Sequence, residues 1–250
     1  MEKIERGRVN LAQKSQQKAT VKQIKQQQQQ KKQKRMRVLI WGIVVCFIAL
    51  IAAAIILKPK AGVVDIAYDK VPTLGSVEAP VKIAEFGDFK CPTCQYFSKD
   101  ILSQIKKDYV DTGKASFSFL NFTIIAQDSY TAALAGQSIY HQNKDEFWKF
   151  YDALYENQQA DEQAAWATPD FLTELAKSNG VNVDYDKLRK DIDEGTYSGE
   201  IDKQNALARK KNFTGTPTVL INGKVLDSSV SLDYSKLKVE LDKAVEEAGK

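Results

Sequence analysis

Cys91 and Cys94 stand two residues apart in the run Cys91-Pro92-Thr93-Cys94. Two thiols at that spacing either close a small disulfide ring or contribute half of a metal site. Their setting favours redox chemistry. The apolar run Val81–Phe86 precedes them, and Ile101, Leu102, Ile105 and Tyr109 follow at the spacing of one helix face. Cys91 is thereby placed at a helix N-terminus, where unpaired backbone N–H groups and the positive end of the dipole favour a thiolate. Pro92 suits the first helical position, because its missing N–H would have no intrahelical partner there. Cys94 falls one turn further in, shielded, and placed to attack a mixed disulfide formed on Cys91. The Thr93 hydroxyl and the Lys90 ammonium are two further groups expected to lower the Cys91 pKa.

Two plainer readings compete. A structural zinc ion needs about four ligands, and outside this pair the chain offers only Cys46 and His141. Cys46 lies within an apolar span, expected to pack in lipid as a small apolar group. A purely structural disulfide remains open, although so short a loop gains comparatively little by closing. No EF-hand or similar ligand run is present, so Asp88, Asp128 and the other loop acids carry no metal assignment.

The elements that must hold the pair can be read in order. Val81–Phe86 is apolar on both faces except at Glu85, as expected of a central strand covered by helices. The apolar neighbours Ala84 and Phe86 place Glu85 in the interior. A helix follows from Cys91 to Tyr109 and stops near Asp111-Thr112-Gly113. Residues 115–120 read as a second strand. From about Asp128 to Asn212 the pattern is helical, with an Ala- and Gly-rich segment at Ser129–Tyr140 and an amphipathic stripe of Phe147, Phe150, Tyr151 and Leu154. These aromatics read as core. Thr168-Pro169-Asp170 is an N-cap and first-turn signal for a helix ended by Asn179-Gly180. Short helices follow around Tyr185–Ile192 and Ile201–Lys211. Sheet character returns at Thr216–Ile221, and Asn222-Gly223 before Lys224-Val225-Leu226 is a hairpin signal. A helix from Tyr234 to Ala248 closes the chain.

The N-terminal quarter differs in kind. Residues 1–37 hold 12 of the 36 Lys and Arg but only 2 of the 32 Asp and Glu, so the overall charge of +4 hides an acidic remainder. This Gln/Lys-rich tail reads as cytoplasmic and weakly structured. Val38–Leu57 is a run of 20 uncharged residues, the length a helix needs to cross a bilayer core. The crowd of Lys31, Lys32, Lys34, Arg35 and Arg37 before it fixes the N-terminus inside and everything after Lys58 outside. The run exceeds the h-region of a cleaved signal peptide, and Ala52, Ala53 and Ala54 lie within it, which favours an uncleaved single-pass anchor in the cell membrane. A basic tail abutting such a span reads as a topology signal and not as a nucleic-acid site. Residues 58–75 read as a linker, with a short strand near 63–67, and residues 76–250 as the folded unit.

With these residues in place the sequence resembles the thioredoxin superfamily and, within it, the DsbA-like thiol–disulfide oxidoreductases of the membrane-anchored Gram-positive kind. The residues that carry the resemblance are the Glu85–Phe89 strand end, Cys91–Cys94 at a helix start, the helical insertion at roughly 124–212, and Gly215-Thr216-Pro217-Thr218. The pattern covers about residues 70–250. It implies an α/β thioredoxin-like fold with a large helical insertion, here preceded by one transmembrane helix. The resemblance also implies that Pro217 is cis, with Thr216 beside the sulfurs pairing its backbone with an extended substrate. Glu85 then takes the position of a buried acid that exchanges a proton with Cys94. The departure is the dipeptide Pro92-Thr93, which lacks the histidine of the strongest oxidants. A potential between about −120 mV and about −270 mV is therefore expected.

The activity so implied is introduction of disulfides into exported proteins carrying free thiols. It implies reoxidation by a quinone-linked membrane partner of the DsbB type and no organic cofactor. A reductase or isomerase on the same frame, or a non-catalytic binding or chaperone module, stays open on residue types alone.

Overall fold

The structure, a computed structural model, describes residue 41 and residues 62–249. The tail at 1–37 lies outside the described residues, as does all of the expected 38–57 anchor except Trp41. Among the described residues no helix is long and apolar enough to cross a membrane.

Residues from Gly62 onward form one compact unit built on a five-stranded sheet. Its strands are β1 (Thr73–Leu74), β2 (Val81–Gly87), β3 (Ala115–Asn121), β4 (Thr218–Ile221) and β5 (Lys224–Val225), in the order β1-β3-β2-β4-β5. Strand β2 is central, parallel to β3 and antiparallel to β4. Its seven residues are buried apart from Lys82, the continuous burial of a strand covered on both faces.

Helix α1 spans residues 92–110 as α-helical turns at Pro92–Tyr96 and Ser103–Ile105 alternating with wider π turns at Phe97–Leu102 and Lys106–Val110. The insertion is all helical: α2 (Gln127–Gln142), α3 (Glu146–Glu156), α4 (Pro169–Ser178), α5 (Tyr185–Glu194) and α6 (Ser198–Lys210). The Thr168 side chain caps α4 by accepting from Phe171 N, with Pro169 in the first turn, and Asp184 caps α5 in the same way. After the sheet returns, a short helix α7 (Ser228–Ser231) precedes α8 (Tyr234–Ala248).

The interior has two parts. The larger covers one sheet face and takes in Val81, Ile83, Phe117 and Phe119 with the apolar faces of α1 through α5. The smaller lies on the other face, where Ala84, Phe86, Leu120 and Leu220 meet Val64, Ile66, Val71 and Ala208. This second cluster corrects the linker reading. Residues 62–74 are part of the fold: Val64, Ile66 and Val71 are buried, and Val64 N donates to Gly223 O at 2.7 Å. The predicted strand near 63–67 is a single bridge from Val63 to Lys224, and the pairing strand is instead Thr73–Leu74, antiparallel to β3. The Gly and Pro residues that read as a linker punctuate a chain wrapped across the sheet.

The hairpin forms at Asn222-Gly223, both with positive φ, as a two-residue turn of this type requires. A Cβ at Gly223 would lie 2.4 Å from Val64 O, so the approach of residues 63–64 requires glycine there.

Candidate active site

The C-terminal end of β2, the start of α1 and the start of β4 meet at one end of the central strands. Cys91 is the N-cap residue of α1 and Pro92 its first helical residue. Cys91 N donates to Asp88 O at 3.0 Å, and Asp88 in turn accepts from Lys90 N, Ile124 N and Ile125 N, at 2.8 to 3.0 Å. One buried carboxylate thus closes the turn before the dithiol and ties it to the segment that leads into α2.

Both thiols are free, but their surroundings oppose one another. The Cys91 Sγ lies 3.3 Å from Thr216 O and its pKa is drawn down to about 6. A hydrogen bond from the Cys94 thiol is the largest cause, reinforced by the Thr216 side chain and the backbone N–H groups of Cys94 and Thr93. The Thr216 Oγ1 is buried with no other partner, so it is available to the thiolate. Cys94 is fully buried, and its thiol is pushed well up, first by burial and then by the hydrogen bond it gives to Cys91. Cys91 itself is only 4 % exposed, recessed beneath the surface. A client sulfur must therefore be brought down to it. Beside it opens a cavity of about 530 Å³ whose lining includes Thr93, Phe213, Thr216, Pro217 and Leu232.

The Thr216–Pro217 peptide bond is cis, and β4 begins at Thr218, two residues after the predicted start. Glu85 is fully buried on β2, opposite Phe119 on one side and Val219 on the other. Burial raises its pKa to about 8, against hydrogen bonds from Tyr151 and Cys94 that favour the carboxylate. The structure thus brings Glu85, Cys91, Cys94, Thr216 and Pro217 together, with Pro92 and Thr93 between the sulfurs.

Two expected contributions to the Cys91 pKa come out differently. Thr93 acts through its backbone N–H, while its side chain is exposed at the rim. Lys90 is fully buried and points away: its Nζ pairs with Asp128, donates to Ala164 O at 2.8 Å and sits 5.4 Å above the Trp166 ring. An ammonium satisfied by its own carboxylate exerts little net field on a neighbouring sulfur. His141 lies elsewhere, paired with Glu200 and stacked on Tyr197.

Sequence reasoning missed the part played by α3. Tyr151 donates to Glu85 Oε2 at 3.1 Å and Tyr155 to Asp88 O at 3.3 Å. Just beyond the helix, Gln158 Nε2 donates to Phe89 O and Cys91 O. Of these, only Tyr151 fell in the stripe read as core from sequence, and core it also is. The one available signal was the choice of tyrosine over phenylalanine at positions so thoroughly apolar.

A central β2 feeding a dithiol at a helix start, faced by a cis-proline loop, defines a protein of thioredoxin architecture. The family model described as Thioredoxin matches residues 68–242, and the chain belongs to that family, among its DsbA-like thiol–disulfide oxidoreductases. It is 38 % identical over 172 residues to disulfide bond formation protein D of Bacillus subtilis, an alignment spanning 69 % of this chain and 76 % of that one. A probable disulfide bond formation protein D of Bacillus cereus is also 38 % identical, over 71 % of this chain and 80 % of the other. Among solved structures, oxidised BdbD from Bacillus subtilis superposes with a TM-score of 0.69 at 35 % identity, covering 75 % of this chain and all of that one. The DsbA of Chlamydia trachomatis, at 22 % identity and a TM-score of 0.62 over 74 % of this chain and 96 % of that one, shares the fold.

Proposed function

We propose that the chain introduces disulfide bonds into exported proteins, acting from the outer face of a membrane to which residues 38–57 anchor it. The observation that carries the chemistry is the opposition within one helical turn: Cys91 is held as a thiolate while Cys94 is held as a thiol. Stabilising the Cys91 thiolate stabilises the reduced enzyme, and that makes its disulfide an oxidant.

In the forward reaction a client thiolate attacks Cys91 Sγ of the Cys91–Cys94 disulfide. A client–Cys91 disulfide forms, and the Cys94 thiolate released takes a proton from the Glu85 carboxyl. A second client thiolate then attacks the client sulfur of the mixed disulfide. The client leaves with its disulfide, Cys91 leaves as the stabilised thiolate, and two electrons remain on the enzyme. Thr216, ahead of Pro217, offers its backbone to an extended client segment. The reduced dithiol is reoxidised by a membrane partner of the quinone-linked kind, and the dithiol is the only redox group the enzyme needs. The anchor rests on the uncharged length of 38–57 and the basic residues before it, and it keeps the dithiol where disulfides persist.

Replacing Cys94 by Ala removes the resolving thiol, and exported proteins should then accumulate covalently attached to Cys91, visible as reducible adducts on gels. Equilibrating the full chain with glutathione reads the direction. A potential near the roughly −270 mV of thioredoxin would overturn the oxidase assignment in favour of a reductase.

A further inference from the structure

The acid proposed to exchange a proton with Cys94 sits in an unusual cage. Glu85 is fully buried, and among the described residues no ion pair involves it. Opposite it on β3, where a cation would be well placed to steady a carboxylate, stands Phe119. The fixed donor is the Tyr151 hydroxyl, delivered from the helical insertion 66 residues away, at 3.1 Å from Oε2. Tyr151 is itself fully buried and packed between Phe89, Phe119, Phe147 and Tyr155, so its ring has little freedom to turn away. The other oxygen, Oε1, has no fixed partner and lies over Gly87, where even a Cβ would approach it to 2.9 Å.

We propose that Tyr151 is a positioning residue: by holding Oε2 it fixes the orientation of the Glu85 carboxyl that exchanges a proton with Cys94. The inference rests on the reading of Glu85 as proton acceptor for Cys94. In the resolving direction the Cys94 thiol gives its proton to Glu85. The resulting thiolate attacks Cys91 Sγ of a mixed disulfide, the new Cys91–Cys94 bond forms, and the client sulfur departs with the electron pair. Tyr151 neither gains nor loses a proton in this cycle. It fixes the orientation of the carboxyl and favours the carboxylate by donating to it.

The test is the pH profile of resolution. The full chain, in detergent, is loaded with glutathione at Cys91, and release of glutathione is timed from pH 5 to 10. Tyr151→Phe removes only the donor, so the midpoint of the Glu85-dependent limb should move up by about one pH unit. Release below that limb should fall about tenfold. Glu85→Gln should abolish the limb. Tyr109→Phe, which deletes a part-buried hydroxyl hydrogen-bonded to Asp242 at 2.6 Å at the far end of α1, should leave the profile in place. A Tyr151→Phe profile superposing on wild type while Glu85→Gln changes it would overturn the role of Tyr151 alone. An unchanged Glu85→Gln profile would overturn the reading of Glu85 and the proposal with it. Should Tyr151→Phe not fold, 3-fluorotyrosine at position 151 keeps the packing and strengthens the donor. The midpoint should then move down, and an upward or absent shift would count against the proposal.

Discussion

Neighbouring residues of β2 look into two interiors that are built alike and used differently. Ala84 and Phe86 face the smaller cluster with Leu120, Leu220 and Val64, an interior of hydrocarbon and aromatic carbon. Glu85, between them in sequence, faces the larger one, among Phe119, Tyr151 and the sulfurs. Both faces are closed to water, so burial is not what separates them. On one face burial yields only cohesion. On the other, the same loss of water raises the proton affinity of a carboxyl and a thiol beside a second thiol whose affinity is lowered. The chemistry of this molecule is thus made by the solvent it excludes, and the comparison can be broken by altering one face at a time.

The largest effect on stability should come from the inert face. Leu120→Ala should lower unfolding free energy by about 4 kcal/mol in denaturant titration, while the midpoint for alkylation of Cys91 stays near pH 6. A midpoint that moved with it would mean the two interiors are not separable. Next is Lys90→Met. It strands the Asp128 carboxylate, mostly enclosed, and should cost about 3 kcal/mol, again without moving the Cys91 midpoint, because the ammonium is spent on Asp128. An upward shift would restore Lys90 as a direct influence on the sulfur.

Glu85→Gln should behave in the opposite sense. The folded pKa of about 8 lies above the ordinary 4.5, so ionised Glu85 opposes folding. That penalty is absent below about pH 4.5, grows between the two values and is complete above about pH 8. The reduced Gln variant should match wild type near pH 4 and exceed it by a few kcal/mol at pH 9, read from paired denaturant titrations. A constant offset at every pH would show that Glu85 does not titrate inside the fold. The smallest effect is expected of Thr216→Val, which removes one of several groups turned toward Cys91. Its alkylation midpoint should rise by a fraction of a pH unit from about 6, and no rise would exclude the hydroxyl.

The frame was legible where the signal is local. An apolar run, a helix face and Asn-Gly between apolar runs sit within a dozen residues of what they specify. They correctly gave β2, α1, β3, the hairpin and the closing helix. What escaped is what partners far along the chain decide. Residues 62–74 carry turn-forming Gly and Pro, and only the unseen opposite face of the sheet makes Val64, Ile66 and Val71 core. Lys90 beside a cysteine reads as a cation acting on the sulfur until Asp128, 38 residues on, is seen to claim it. Tyr151 has the spacing of packing, and its hydroxyl acquires meaning only against a carboxyl 66 residues earlier.

The close crossing at Gly223 has a mechanical corollary. Residues 63 and 64 are riveted to the turn at one end of β4, and the cis-proline loop lies at the other end. Tension applied through Gly62 is therefore carried into β4 as lengthwise strain on its pairing with β2. The helix bearing the sulfurs hangs from β2, but Thr216 and Pro217 stand at the far end of β4, so the reactive corner lies where that strain arrives.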